Sequence, residues 1–400
     1  KTPKVITELS PVLYFAPSRI LRRMKLLILL LLLSPTLADE LLFLQTLWRH
    51  GDRTPTSTYP SDPYQEDFWG VPWGELTTRG QKQHFLQGQR LRRVYVDGYG
   101  LVSGKYNRNE TVVRSSDYPR CIQSALSNLA GFYAGSPTHP TDVDNWPSDW
   151  TPIPIHTVPQ SEDRILECPI SNAKVPCPVA QKLFDKRIQQ KNFLDFIASQ
   201  WMLIADILMH GGDSKESEFE TIAHIYQAIS VEKGYFNLTL PDWITDDVYN
   251  GIEDAVEQGQ DYVVGGAGFD YPEDEEMVRL RGGFLLKEWT DNLNAVINGT
   301  NTLKYQAYSG HDYSIVALLM VLEAKTQLLG LKNPEYSATV ACELWRRDEG
   351  YAVKFLFSRD EYSEYEPITK LISGCPSNSD FCALDKFVEG TKKYIPYGVE

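Results

Sequence analysis

The sequence lacks the patterns that mark zinc sites, repeat proteins and membrane spans. Its six cysteines form no Cys-x-x-Cys pair, and no histidine stands at zinc-finger spacing from them, so a metal site is not expected. Neither an internal repeat nor a low-complexity linker interrupts the 400 residues. After residue 33 no stretch approaches the ~18 consecutive apolar residues of a transmembrane helix, and we expect no membrane span in the mature chain.

Basic residues are fewer than acidic residues. The chain has 39 Lys and Arg against 53 Asp and Glu, a net charge of −14. Such a surface attracts neither nucleic acid nor an anionic membrane unless it carries a local basic patch, so neither is expected as a partner. Hydrophobic residues at 42% and charged residues at 23% are ordinary for a globular protein and argue against disorder, collagen and coiled coil.

The first 38 residues resemble a leader. A basic flank, the apolar run 26–33 and the small residues up to Ala38 predict a secretory signal peptide over residues 24–38, cleaved after Ala38. Residues 1–23 precede its methionine and are expected to be untranslated or mis-joined sequence. An uncleaved anchor is the alternative, although this run is shorter than the about 20 residues that a span needs.

Three N-glycosylation sequons, at Asn109, Asn237 and Asn298, agree with this route. We therefore expect a secreted glycoprotein or a protein of the lysosomal lumen. The even cysteine count suits an oxidising compartment, and the short loop between Cys375 and Cys382 predicts a disulfide. The pairing of the other four cysteines stays open, and six free thiols are the alternative.

Hydrophobic periodicity predicts the fold class. Nearly continuous or alternating apolar runs predict strands over residues 41–48, 111–113, 153–158 and 305–309. Apolar residues at helical spacing follow the strands predicted at 41–48, 111–113 and 305–309. The helix after the first of these strands is expected to begin with a capping box of Thr78 and Gln81. Runs 338–345 and 351–357 predict an antiparallel hairpin. The expected fold is α/β, a mixed sheet flanked by helices.

Between residues 166 and 274 the pattern becomes helical. Apolar residues from Phe193 to Leu208 keep helical spacing, and Ile222, Ile225 and Ile229 indicate a second helix. We interpret 166–274 as a smaller helical cap domain, inserted into an α/β catalytic domain made of 39–165 and 275–400.

The most informative segment is Arg49-His50-Gly51-Asp52-Arg53-Thr54-Pro55, at the end of the first strand. A histidine flanked by two arginines resists protonation, which leaves one ring nitrogen free to attack an electrophile. The forked guanidinium donors match phosphate oxygens, and Gly51 permits a close backbone approach or unusual dihedrals. The segment therefore predicts a nucleophilic histidine on an oxyanion-holding loop; a buried structural histidine is the alternative.

Polar residues follow other strands in the same way. Arg114 follows the second strand, and His311 and Asp312 follow the fourth. In open α/β sheets the loops after the strands gather in one crevice, so these side chains are expected to meet His50. Two alternatives are a surface pair of Arg114 with Asp117, and a helix N-cap at Asp312.

The set of motifs resembles the histidine acid phosphatase family, in particular its prostatic and lysosomal branch, over nearly all of residues 39–400. The likeness rests on Arg49-His50-Gly51-Asp52-Arg53-Thr54-Pro55, Gly74-Glu75-Leu76-Thr77-Thr78-Arg79-Gly80, Arg114-Ser115-Ser116-Asp117, His156-Thr157-Val158-Pro159 and Ser309-Gly310-His311-Asp312. Cys121 departs from the pattern of this branch, and residues 234–236 lack a cysteine that several members carry there.

The resemblance implies a metal-independent acid phosphatase without a cofactor, acting on small phosphomonoesters, with a homodimer as its assembly. By that likeness His50 becomes the phosphohistidine and Asp312 protonates the leaving oxygen. The residues that would hold the phosphoryl oxygens are Arg49, Arg53, Arg114 and His311. A phytase or inositol polyphosphate phosphatase with a wider, more basic cleft, and an inactive secreted binding protein of the same fold, are the alternatives.

Overall fold

The computed structural model describes residues 39–135, 140, 142–147, 150–168, 175–211 and 218–397. The predicted leader over residues 1–38 lies outside the described residues. Within them no single helix is long and apolar enough to cross a membrane, although the bent helix pair Lys191–Ser199 and Trp201–His210 passes that test of length and composition together.

A mixed sheet of eight strands forms the centre of the described chain. In chain order the strands are β1 (Glu40–Arg49), β2 (Thr111–Ser116), β3 (His156–Val158), β4 (Tyr305–Gly310), β5 (Thr339–Arg347), β6 (Gly350–Ser358), β7 (Glu366–Pro367) and β8 (Cys382–Ala383). Their order in the sheet is β3-β2-β4-β1-β5-β6-β7, with β8 beside β6. The pairs among β3, β2, β4 and β1 are parallel and the others antiparallel, which confirms the predicted mixed α/β sheet.

Twelve α-helices occur in the described ranges. They are α1 (Glu66–Trp69), α2 (Thr78–Arg92), α3 (Pro119–Phe132), α4 (Pro178–Ile188), α5 (Lys191–Ser199), α6 (Trp201–Gly211), α7 (Glu218–Ile229), α8 (Asp246–Val263), α9 (Glu275–Ile297), α10 (Asp312–Val321), α11 (Lys325–Leu329) and α12 (Leu384–Thr391). Single π-helical turns follow α2 and α7, and short 3₁₀ turns lie at Thr369–Leu371 and Lys392–Tyr394.

Strand β1 is buried on both faces, which explains its unbroken apolar run. Phe43 and Leu47 pack into one hydrophobic cluster with the buried residues of α9 and α10. Leu44 and Trp48 pack on the opposite side, in a cluster that includes residues of α2 and α3. Each fully buried side chain of this kind contributes roughly 1.5–3 kcal/mol, so both helix layers hold the end of β1 firmly in place.

Several predicted boundaries were wrong. Arg114 lies inside β2, which continues to Ser116 because its parallel pairing with β4 extends to Ser115 opposite Ser309. The third strand is only His156–Val158, since Ile153 packs in a hydrophobic cluster before the strand begins. Helix α2 is capped by Thr77, whose side chain accepts the Gly80 N–H, and not by Thr78. The predicted hairpin is confirmed as β5 and β6.

The region after residue 166 is helical in its described part, where no strand is found up to residue 274. The helix predicted through Phe193 and Leu208 is two helices, α5 and α6, bent by 58° at Gln200. A bend keeps the same apolar spacing on both sides, so periodicity alone does not reveal it. The division into a catalytic and a cap domain stays a prediction.

The structure contains the predicted disulfide between Cys375 and Cys382, with an S–S distance of 2.13 Å. The four other cysteines are free thiols, of which Cys121, Cys168 and Cys342 are buried. The asparagines of the three sequons, Asn109, Asn237 and Asn298, are all exposed and accessible to glycosylation.

Candidate active site

His50 is the first residue after β1 and is 3% exposed. Its backbone N–H donates to Gly310 O at 2.9 Å, which ties it to the end of the neighbouring strand β4. Its ring Nδ1 lies 2.8 Å from the Gly51 carbonyl oxygen. A carbonyl only accepts, so Nδ1 carries the proton and Nε2 of the neutral ring keeps its lone pair.

The surroundings of His50 keep its ring neutral. Burial lowers its pKa well below the usual 6.5, and the positive charges of Arg120 and Arg49 lower it further. The predicted effect of neighbouring arginines is therefore present, although the largest charge effect comes from Arg120 on α3, which sequence analysis did not name. A neutral histidine is available as a nucleophile even in acidic solution.

Gly51 permits a close backbone contact. Its Cα faces the first turn of α2, where an added Cβ would lie 2.5 Å from the Gly80 carbonyl oxygen. The Gly51 N–H donates to Ser124 Oγ on α3 at 3.0 Å. Of the two uses predicted for this glycine, close approach is the one that the structure requires.

Arg49 and Asp312 form an ion pair, with Arg49 Nη2 3.0 Å from Asp312 Oδ2. The guanidinium also donates to Pro334 O at 2.6 Å and lies 4.1 Å from the centre of the Tyr336 ring. Burial by itself raises the pKa of Asp312, but Arg49 and then His311 hold it below the usual 3.8. Asp312 is therefore ionised in the free protein above that pH.

Arg53 and Arg114 occupy different surroundings. Arg53 lines the same cleft as Arg49 and Asp312, and burial lowers its pKa. Arg114 Nη2 donates to the buried Asp163 at 2.5 Å, and its Nη1 lies 3.5 Å from Glu288. The expected alternative, a surface pair with Asp117, is therefore not the observed pairing. The acidic partners of Arg114 were missed because neither is near it in sequence.

His311 is 1% exposed and lies beside His50, with ring centres 5.5 Å apart. It is the N-cap of α10, so the cap predicted at Asp312 falls one residue earlier. Its ring stacks on Tyr313 and contacts Tyr118 edge-on. Its Nε2 lies 2.8 Å from Ser116 Oγ, which in turn lies 2.6 Å from Glu167 Oε1.

A cleft of about 360 Å³ contains Arg49, Arg53 and Asp312 in its lining. The rest of that lining comes mainly from α7, the following π turn, α8 and the segment 332–336. It includes four tyrosines (Tyr226, Tyr235, Tyr249 and Tyr336) and three further carboxylates (Glu253, Glu257 and Glu335). Lys332 is the only other cationic side chain among the described lining residues. The cleft therefore joins a cationic, arginine-bearing part to an acidic and aromatic wall.

The chain belongs to the histidine phosphatase superfamily (branch 2), whose family model matches residues 40–358. It is 32% identical to the lysosomal acid phosphatase of Rattus norvegicus over 380 residues, covering 92% of this chain and 81% of that protein. It is 31% identical to the prostatic acid phosphatase of the same organism over 373 residues, 93% of this chain and 91% of that protein. The family resemblance is thereby confirmed.

Solved structures share the fold at low identity. The apo form of Hafnia alvei phytase has a TM-score of 0.63 at 14% identity, covering 91% of this chain and 98% of that chain. The Citrobacter braakii phytase has a TM-score of 0.62 at 15% identity, covering 89% of this chain and 98% of that chain. These likenesses establish the architecture alone, and the site must be interpreted from its own residues.

Proposed function

We propose that this chain is a secreted or lysosomal acid phosphatase that hydrolyses phosphomonoesters through a phosphohistidine on His50, without a metal ion. The observation that carries this proposal is the hydrogen bond from Nδ1 to Gly51 O, which leaves Nε2 unprotonated beside Arg49 and Arg53. The acid phosphatases among its relatives support the same chemistry. The test is the His50→Ala trapping experiment described in the Discussion.

Two displacements at phosphorus complete the reaction. His50 Nε2 forms an N–P bond as the P–O bond to the alcohol breaks, and Asp312 gives its proton to the departing oxygen. A water molecule then attacks the phosphohistidine, Asp312 takes a proton from that water, and the N–P bond breaks to release phosphate and neutral His50. Each step leaves Asp312 ready for the next.

The arginines stabilise the charge on the transferring group. Forked donors from Arg49 and Arg53 can engage two phosphoryl oxygens, and Arg120 adds positive charge beside His50. Arg114 and His311 are proposed to complete the set, as the family resemblance implies. This concentration of fixed positive charge supplies the electrostatic stabilisation that Mg²⁺ gives in many other phosphoryl transfer enzymes.

Removing metals should leave the activity intact. The described residues contain no group of three or more His, Cys, Asp or Glu side chains placed to hold an ion. Protein dialysed against EDTA and assayed in metal-free buffer is expected to retain its full kcat on an aryl phosphate. Activity that disappears and returns with Zn²⁺ or Mg²⁺ would contradict the metal-free mechanism.

The lining of the cleft argues against an inositol polyphosphate as substrate. Glu253, Glu257 and Glu335 line it, so this wall carries acidic side chains. A polyanionic leaving group would meet these carboxylates, whereas a neutral aryl group can pack on the tyrosines. The simple phosphomonoesterase is therefore the better-supported function.

This wall predicts a substrate preference. We expect kcat/KM for inositol hexakisphosphate to be at least about tenfold below that for phenyl phosphate at pH 5, since each unfavourable charge contact costs on the order of 1 kcal/mol. The double variant E253Q/E257Q should bring kcat/KM for inositol hexakisphosphate closer to that for phenyl phosphate. Equal or better turnover of inositol hexakisphosphate by the unmodified protein would favour the phytase alternative.

A further inference from the structure

Three polar side chains next to His311 have no part in the reaction described above. Ser116 ends β2, Glu167 lies in the segment after β3, and Tyr313 lies in the first turn of α10. Glu167 is 5% exposed, and both of its oxygens accept hydrogen bonds: Oε1 from Ser116 at 2.6 Å, and Oε2 from Tyr313 at 3.0 Å. A buried carboxylate with this many donors is a built feature of the site.

The hydrogen bonds determine which ring nitrogen of His311 carries a proton. Ser116 has one hydroxyl proton, and an ionised carboxylate can only accept, so Ser116 donates to Glu167. Ser116 Oγ must then accept from His311 Nε2, 2.8 Å away. The resulting chain is Nε2–H to Ser116 and O–H to Glu167. A second proton on the ring must be added at Nδ1, where it replaces the contact with the Ser314 backbone N–H in the capping box of α10.

We propose that Glu167 is a positioning residue that acts through Ser116: it fixes a proton on His311 Nε2 and favours the imidazolium form of His311 when phosphate is bound. This inference rests on the proposed phosphatase function. An imidazolium beside His50 adds one positive charge at the place where the phosphoryl group has to sit. Glu167 itself need not touch the substrate.

The charge of Glu167 acts on His311 at short range. Its Oε1 lies 3.7 Å from His311 Nε2. Burial raises the pKa of Glu167, but the adjacent His311 and the hydrogen bonds from Ser116 and Tyr313 lower it below its usual 4.5, so the group is ionised in mildly acidic solution. Burial lowers the pKa of His311 below 6.5, and Glu167 opposes that effect.

Some of the other groups around His311 raise its pKa and others lower it. Besides Glu167, the titratable and charged side chains that contact or act on it are His50, Tyr118, Arg120, Cys121, Asp312 and Tyr313. Arg120 lowers the pKa of His311 and Asp312 raises it. Cys121 Sγ, 3.6 Å from Nε2, stays a neutral thiol because burial raises its pKa to about 12. Glu167, in contrast, acts on His311 through a hydrogen-bonded relay.

Glu167→Gln should move the ionisation of His311 to lower pH, by about one pH unit for a lost opposite charge at this distance. At low pH the ring is charged in both proteins, and at high pH it is neutral in both. Between the two midpoints, below pH 6.5, only the unmodified protein keeps the imidazolium. The variant should therefore lose up to about tenfold in phosphate affinity inside that interval, with little change outside it.

The experiment measures the binding of inorganic phosphate by calorimetry from pH 4 to pH 7, which needs no turnover. Glu167→Asp, which keeps the charge, should bind nearly as the unmodified protein does. Glu343→Gln is the matched control, because Glu343 is a buried carboxylate that accepts from Tyr95 and Trp345, and it lies opposite Leu44, five residues before Arg49 along β1.

A loss of phosphate affinity that depends on pH in Glu167→Gln, and that is absent from Glu167→Asp and Glu343→Gln, supports the inference. A loss by the same factor at every pH, or a curve that coincides with that of the unmodified protein, overturns it. If Glu167→Gln does not fold, Ser116→Ala replaces it as the test. Loss of the relay should shift the pH dependence of phosphate affinity to lower pH, by less than is expected for Glu167→Gln. An unshifted pH dependence in Ser116→Ala overturns the inference. A failure of the unmodified protein to bind phosphate at any pH would instead overturn the proposed function.

Discussion

Replacing His50 with alanine is expected to lower kcat by at least ~10³-fold while leaving the protein folded, because a covalent nucleophile has no substitute. Nε2 of the neighbouring His311 cannot take over, because it carries the proton that it donates to Ser116. Rapid quenching in alkali, in which the N–P bond of a phosphohistidine is stable, should trap label from a ³²P-labelled phosphomonoester on the unmodified protein and none on His50→Ala.

A histidine outside the lining of the cleft supplies the control for this experiment. His210 is exposed on α6 and stacks on Trp243, so His210→Ala should keep both the activity and the trapped label. A labelled adduct on His50→Ala would show that another residue is the nucleophile. An unmodified protein that binds phosphate but never becomes labelled would support the alternative of an inactive binding protein.

The parts of the candidate site whose positions follow from the sequence are the polar residues that stand directly after a buried strand. Arg49 and His50 follow a strand whose unbroken apolar run reveals burial on both faces, and His311 and Asp312 follow another. Because β1 and β4 are adjacent and parallel, both strand ends necessarily meet. The core of the site therefore follows from periodicity together with the position of the polar residues.

The rest of the site depends on contacts between distant segments. Ser116 and His311 are 195 residues apart, and Arg114 and Asp163 are 49 apart. No local pattern marks Glu167 as a buried carboxylate, because an exposed glutamate in a loop leaves the same signal in sequence. The prediction that Arg114 follows the second strand was wrong for a similar reason. Pairing with the neighbouring strand β4 determines where β2 ends, and its own apolar run does not.

Asp312→Asn is expected to slow the cleavage of alkyl phosphates by about 10²–10⁴-fold, the range of a lost general acid. An alkoxide is a poor leaving group and needs a proton as the P–O bond breaks. An aryl phosphate with an acidic phenol needs that proton much less, so its phosphorylation step should lose less than about tenfold. The difference between the two substrate classes, and not the absolute loss, identifies the proton donor.

The expected pH dependence follows from the ion pair with Arg49. In the free protein the pKa of Asp312 lies below 3.8, so the carboxyl lacks a proton over most of the acidic range. A phosphoryl group bound at Arg49 would compete for this guanidinium and repel the carboxylate, and both effects raise the pKa of Asp312 in the complex. The substrate monoanion, present below its second pKa of about 6, can bring the proton with it. Activity should therefore peak at about pH 4–6 and fall as the pH rises further.

Single-turnover rates for a series of phosphomonoesters of increasing leaving-group pKa separate the two possible roles of Asp312. The unmodified protein should show a shallow dependence on leaving-group pKa, and Asp312→Asn a steep one. Asp312→Glu keeps a carboxyl and should restore part of the shallow dependence, which controls for the loss of the Arg49 ion pair in the asparagine variant. An equal loss for every leaving group would mean that Asp312 only orients Arg49, and the proton would then have to come from another group at the cleft.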